Sequence, residues 1–184
     1  MNNNKYIFCI AGVSGSGKTT LVENLQSEYG LKTVESYTTR PKRYENEKGH
    51  IFVTNKEFND LKDICAYTMF NGYEYGVTAE IVDQCDTYVI DPAGIKFLNE
   101  AYKGDKKIIS IALVCSPEEV SRRMKQRGDS DDAIASRLRH DKIAFEDLLD
   151  VCQYSILVDN LSPEETLREA YNIIASVRGE QNHE

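Results

Sequence analysis

Gly12-Val13-Ser14-Gly15-Ser16-Gly17-Lys18-Thr19 matches the pattern G-x-x-x-x-G-K-[ST] at every fixed position. The chemistry of that pattern is phosphate binding. Its glycines let the backbone curl until successive N–H groups point at phosphate oxygens. A helix starting at its end adds partial positive charge. Lys18 has the reach for β- and γ-phosphates, and the Thr19 hydroxyl suits Mg²⁺. Gly12 to Thr20 is therefore the expected ATP site, with Lys18 as its cation and Mg²⁺ as cofactor.

Two further clusters carry charge. Ser36-Tyr37-Thr38-Thr39-Arg40-Pro41-Lys42-Arg43 places two arginines and a lysine beside hydroxyl side chains. Arginine offers paired, planar donors to a phosphate monoester. A solvated basic turn has the same spacing, so both readings stand at this level. Arg122-Arg123-Met124-Lys125-Gln126-Arg127-Gly128, followed after a polar stretch by Arg137-Leu138-Arg139, puts arginines on both sides of a short loop. That arrangement can close over a triphosphate. Ordinary intrahelical pairing explains such charges too, and it is the reading taken for Arg122 and Arg139.

The positioning elements follow from apolar periodicity and turn chemistry. Lys5 to Ala11 is a short apolar run before the loop, and Thr20 to Leu25 has helical spacing after it. Leu31-Lys32-Thr33-Val34 reads as a second strand. Ser36 to Tyr75 is polar and broken by Pro41 and Lys48-Gly49, with strands at Ile51-Phe52-Val53 and Ala66 to Phe70. Asn71-Gly72 is a hairpin-turn signal leading into Tyr73-Glu74-Tyr75. This segment is expected outside the main sheet. Thr78 to Cys85 reads as a helix, Thr87 to Ile90 as a strand ending at Asp91, and Pro92 to Tyr102 as a helix. Lys107 to Val114 is the clearest strand and Tyr154 to Val158 the last. Ser116-Pro117-Glu118-Glu119 and Ser162-Pro163-Glu164-Glu165 are helix starts. The tail after Gly179 is polar and expected to fray. Strands alternating with helices predict a parallel sheet covered on both faces, with ligand at its C-terminal strand ends.

Composition narrows the class of partner. A chain of 184 residues is one domain in size, with room for an insertion. Its net charge of −8 argues against a nucleic-acid polymer as partner. No apolar run approaches the roughly 20 residues of a membrane span, and Met1 to Lys5 leads straight into the first strand without a signal-peptide pattern. A cytoplasmic protein is expected. The five cysteines form no C-x-x-C pair and are odd in number, as reduced structural thiols would be.

A phosphate loop, an S-x-T-T-R-x-x-R segment, a small insertion ending in Tyr75-Gly76 and an Arg-Gly lid together resemble the guanylate kinase family over roughly Lys5 to Ile174. The resemblance implies a P-loop NTPase-type α/β three-layer sandwich. Its core would be residues 1–35 and 79–184, with a lid near 127–137 and an acceptor-binding insertion at 36–78. It implies phosphoryl transfer from ATP·Mg²⁺ to a phosphorylated small molecule, foremost GMP. By position, Arg40, Arg43 and Tyr75 would hold the acceptor phosphate and Ser36 would face its base. Asp91 would act near Mg²⁺ through water, and Arg127 and Arg137 would be the lid arginines.

The departures concentrate where a base would be read. The family's glutamate in the insertion falls at Ala66, its Ser or Thr after Tyr-Gly is Val77, and one of its tyrosines falls at His50. Of its D-x-D, only Asp91 remains in Val89-Ile90-Asp91. Losing that glutamate costs guanine recognition about 2–4 kcal/mol unless another acid, such as Glu74 or Glu80, replaces it. Two other readings therefore stand beside GMP. One is a kinase of another phosphorylated small molecule such as ribose 1,5-bisphosphate, which shares Tyr-Gly-Val followed by Glu-Ile. The other is a guanylate-kinase-like binding module without catalysis, against which the intact loop argues.

Overall fold

The first strand, β1 (Tyr6–Gly12), shows how the core is built. Ile7, Cys9 and Ala11 enter one apolar cluster and Phe8 and Ile10 another, so alternate side chains serve opposite faces of one sheet. In the computed structural model, residues 5–179 are described except Asn71. The N-terminal lead-in, the first half of the Asn71-Gly72 turn and the tail beyond Gly179 lie outside the described residues.

After the loop comes α1 (Lys18–Tyr29), closed by Gly30. Then follow β2 (Ser36–Thr38), β3 (His50–Phe52), α2 (Asn55–Asn59), β4 (Ile64–Phe70) and β5 (Tyr73–Thr78). Next are α3 (Ala79–Gln84), β6 (Thr87–Val89), α4 (Pro92–Ala101) and β7 (Lys107–Val114). The chain continues through α5 (Pro117–Gln126), α6 (Asp131–Ala144), α7 (Leu148–Val151), β8 (Tyr154–Leu157) and α8 (Pro163–Arg178).

Two sheets result. The main one has the order β6-β1-β7-β8 and is parallel throughout. On one face α1 and α8 cover Phe8, Ile10, Ile111 and Leu113. On the other, α4 supplies Ile95 and Leu98 against Ile7, Cys9 and Ala112. The second sheet has the order β3-β2-β5-β4, with β2 and β3 parallel and the other pairs antiparallel. Cys65, Ala66 and Val77 from this second sheet join the same cluster as Ile95 and Leu98, which ties it to the core.

Local sequence rules hold at the helix starts. Ser116 Oγ accepts the Glu119 backbone N–H, and Ser162 and Glu165 form a reciprocal capping box. One expectation does not hold. Leu31 to Val34 is no ladder strand: only Thr33 makes an isolated parallel bridge, to Thr87. The main-chain N–H groups of Asp86 and Thr87 both donate to the Lys32 carbonyl, and Val34 N–H donates to Thr87. The segment thus meets the sheet edge at a point rather than along a register. The short helices α2 and α7 have no apolar periodicity long enough to mark them, although Thr54 and Glu57 form a capping box at the start of α2. The five cysteines are free thiols, and burial pushes Cys65 up to about 11.

Candidate active site

Three structural features converge on the loop at the end of β1. Gly17 holds a left-handed φ of 97° as it turns the chain into α1, a conformation that favours glycine. Gly12 is fixed by crowding: an added Cβ would lie 2.6 Å from the Leu113 carbonyl oxygen and 2.7 Å from Ser16 Oγ. Val13 packs toward Val120, Met124 and Ile134 of α5 and α6, a small separate apolar cluster. That cluster seats the two lid helices against the loop.

Lys18 begins α1 and folds back so that its Nζ donates to the Gly12 carbonyl at 2.6 Å and the Val13 carbonyl at 2.8 Å. Burial lowers its pKa to about 8, while the charge of Asp141 partly opposes that fall. Thr19 and Thr20 are exposed on the first turn. Gly15 to Thr20 line a cleft of about 600 Å³ with Arg123, Arg127 and Thr166.

The lid residues behave differently from one another. Arg137 donates to Ser14 Oγ at 3.2 Å, so α6 brings it to the loop. Arg127 caps α5, is exposed, and pairs with Asp129 on the lid turn. Arg123 was passed over by sequence reasoning, yet it makes the most loop contacts of the cluster. Its guanidinium donates to the Ser16 carbonyl at 3.4 Å and the Val158 carbonyl at 2.7 Å. Its Nε donates to Glu119, which also holds Arg122. These arginines hold Glu119 down to about 2. A signal existed in the i,i+4 spacing of Glu119 and Arg123, but it equally describes any charged helix face.

The second cluster forms beside the first. Ile10 pairs with Val89, so Gly12 and Asp91 leave neighbouring parallel strands at the same edge. Asp91 caps α4, accepting the Gly94 N–H at 2.6 Å. It lines a cavity of about 170 Å³ together with Ser36, His50, Ala66, Thr68 and Tyr75. Ser36 Oγ is 2.8 Å from His50 Nδ1, and burial lowers the His50 pKa. Asp91, expected at the metal, thus stands with the acceptor-side residues.

Arg40 is 9% exposed and is held from three sides. Its Nη2 donates to Glu47 Oε1 at 2.7 Å, its Nη1 donates to the Pro41 carbonyl at 2.9 Å, and it lies 5.4 Å over the Phe52 ring. Glu47 and, after burial, Tyr75 act on its charge, and Glu47 holds it up. Glu47 itself is held down at about 2, first by Arg40 and then by the Arg43 backbone N–H at 2.6 Å. Arg43 contributes that N–H, while its side chain is exposed. Sequence reasoning missed Glu47, because nothing in the spacing of this polar loop separates it from the neighbouring Glu45.

Among the described residues, no group of three or more His, Cys, Asp or Glu side chains could hold a metal ion. The oxygen groups that the loop and the strand end offer, the exposed Thr19 hydroxyl and the Asp91 carboxylate, are hard donors of the kind Mg²⁺ takes beside waters and phosphates. Among the same residues, no helix is long and apolar enough to cross a membrane.

Comparisons with known proteins agree with this geometry. A family model described as an AAA domain matches residues 8–148. The chain is 31% identical to the guanylate kinase of Neisseria meningitidis, with 95% of this chain and 91% of the relative covered. It is 30% identical to the guanylate kinase of Chlamydia abortus, with 96% and 89% covered. The crystal structure of guanylate kinase from Anaplasma phagocytophilum superposes with a TM-score of 0.60 at 23% identity, covering 94% of this chain and 86% of that one, which bears on the fold. A phosphate loop at the edge of a parallel sheet, a second sheet presenting Arg40 and Tyr75, and relatives matched along nearly the whole chain place this protein in the guanylate kinase family.

Proposed function

We propose that this chain is an ATP-dependent nucleoside monophosphate kinase that transfers the γ-phosphoryl group of ATP to GMP, giving ADP and GDP. The observation that carries the reading is the shared edge: Gly12 and Asp91 end neighbouring parallel strands, so the loop lies at the same sheet edge as the cavity lined by Asp91, Ser36 and Tyr75, and Tyr75 in turn interacts with Arg40. A donor phosphate at the loop then meets an acceptor phosphate at Arg40 across that edge.

The roles follow from the chemistry of each group. The N–H groups of Ser14 to Thr20 and the Lys18 ammonium hold the ATP phosphates, with Gly12 and Val13 shaping the loop. Thr19 offers its hydroxyl to Mg²⁺, which when bound would neutralise charge on the β- and γ-oxygens. Asp91 reaches that side through water. Arg40, aimed by Glu47 and Phe52, holds the acceptor phosphate with Tyr75, and Arg43 adds positive charge at its rim. Ser36 faces the base. Arg137 and Arg127 supply charge to the transferring group as the lid closes and excludes water.

A base-free acceptor such as ribose 1,5-bisphosphate has one observation in its favour. Ala66 and Val77 are buried and apolar at the positions where the family resemblance implies base-reading side chains. The deciding experiment measures ADP release with ATP and Mg²⁺ against GMP, dGMP, AMP, CMP, UMP, dTMP and ribose 1,5-bisphosphate. Turnover confined to GMP and dGMP is the expected result. Turnover with another acceptor alone would refute GMP, and ATP binding without any turnover would return the chain to a binding role.

A further inference from the structure

Asp141 is a carboxylate that neither the loop motif nor the acceptor cluster calls for. It lies on α6 and is 5% exposed. Its Oδ2 accepts the Ser14 backbone N–H at 2.6 Å, and its Oδ1 lies 3.3 Å from His140 Nδ1. One helical turn earlier, Arg137 donates to the Ser14 hydroxyl at 3.2 Å. One face of α6 thus presents an acid and a base to a single loop residue.

The contact lies at a particular end of the loop. Lys18 Nζ donates to the carbonyls of Gly12 and Val13, the two residues preceding Ser14. A lysine in this motif serves the β- and γ-phosphates, so Ser14 belongs to that end. A loop N–H that donates to a carboxylate oxygen makes the bond it would make to a phosphate oxygen. The two anions cannot share that one N–H, because like charges at contact distance in a partly enclosed site repel strongly.

We propose that Asp141 is an internal stand-in for the γ-phosphate, displaced when ATP binds and restored when ADP remains. This rests on the reading that the loop holds ATP. The arriving γ-phosphate repels Asp141 and attracts Arg137 on the same helix face, so α6 shifts its hold on the loop from acid to base. After transfer the γ-position is vacated and the Ser14–Asp141 bond re-forms. Lid position is thereby tied to whether a triphosphate or a diphosphate occupies the loop.

The test compares affinities for ADP and for a non-hydrolysable ATP analogue, with Mg²⁺, in wild type, Asp141→Asn and Asp141→Ala, by calorimetry. Thermal melts check that each variant is folded. Both variants should bind the analogue at least about fivefold tighter, since removing a like charge favours the anion, and bind ADP within about twofold of wild type. An equal change for both nucleotides, or weaker analogue binding, overturns the proposal. Crystal structures of the wild type need no variant: the Ser14–Asp141 bond should be broken with the analogue and kept with ADP. An intact bond beside the bound analogue overturns the proposal. Wild-type protein that binds neither nucleotide would overturn the donor-site reading itself, and this inference with it.

Discussion

Lys18 should take up a proton when the donor nucleotide binds at alkaline pH. In the free protein, burial brings this ammonium down to about 8. At about pH 8 roughly half of the molecules then carry a neutral Lys18, and at about pH 9 roughly nine in ten do. The phosphates of ATP favour the charged form. Binding should therefore draw in about 0.5 proton at pH 8, about 0.9 at pH 9 and almost none at pH 6.5. The terminal phosphate, with a second pKa near 6, is already ionised above pH 8 and adds little. Calorimetry in two buffers of different ionisation enthalpy reads the uptake directly, and Lys18→Met should abolish it. In parallel, kcat/KM for ATP should fall as pH rises through about 8, because that ratio reports the free enzyme. The same depression has a stability consequence of defined sign. The unfolded lysine holds its proton up to about 10.5, so the unfolded chain binds more protons between pH 8 and 10.5. The Lys18 contribution to stability therefore rises with pH across that window. About 2–3 kcal/mol is its ceiling, since the side chain keeps a partial opening to solvent. No uptake at pH 9, together with a flat kcat/KM profile to that pH, would refute the argument from burial.

Two other perturbations test how the site is built. Gly12→Ala places a Cβ 2.6 Å from the Leu113 carbonyl oxygen, in a ladder where Gly12 pairs with Leu113. It should cost about 2 kcal/mol and lower Tm by about 4–8 °C in a thermal melt, with ATP affinity falling alongside. An unchanged Tm would mean that the strand end yields freely. Glu47→Gln removes the charged partner that aims Arg40 while leaving the side-chain shape. Steady-state kinetics should show KM for the acceptor raised about tenfold, with kcat at saturating acceptor little changed. A lowered kcat with an unchanged KM would instead assign Glu47 to the chemical step.

Much of this protein is written locally. The phosphate loop is legible because its function depends on consecutive backbone N–H groups, which only a contiguous run of residues can supply. The caps at Ser116 and Ser162 are legible for the same reason, as each is settled within four residues. The continuous apolar runs of β1 and β7 made the parallel sheet readable before any contact was known. Leu31 to Val34 misled because apolar and β-branched residues also suit a single bridge at a sheet edge.

Tertiary structure decided which charges meet. The bond from Ser14 to Asp141 spans 127 residues, and Arg123 reaches Ser16 across 107. Spacing rules cannot see such pairs, because they register only neighbours on one helix or strand. Asp91 was legible as an acid at a strand end, but its place beside Ser36, His50 and Tyr75 depends on how the second sheet packs against α4. The sequence by itself determined that this chain holds phosphates, through a motif complete in eight residues. Which acids and bases gather around that loop was decided only when the folded helices brought them to one edge of the sheet.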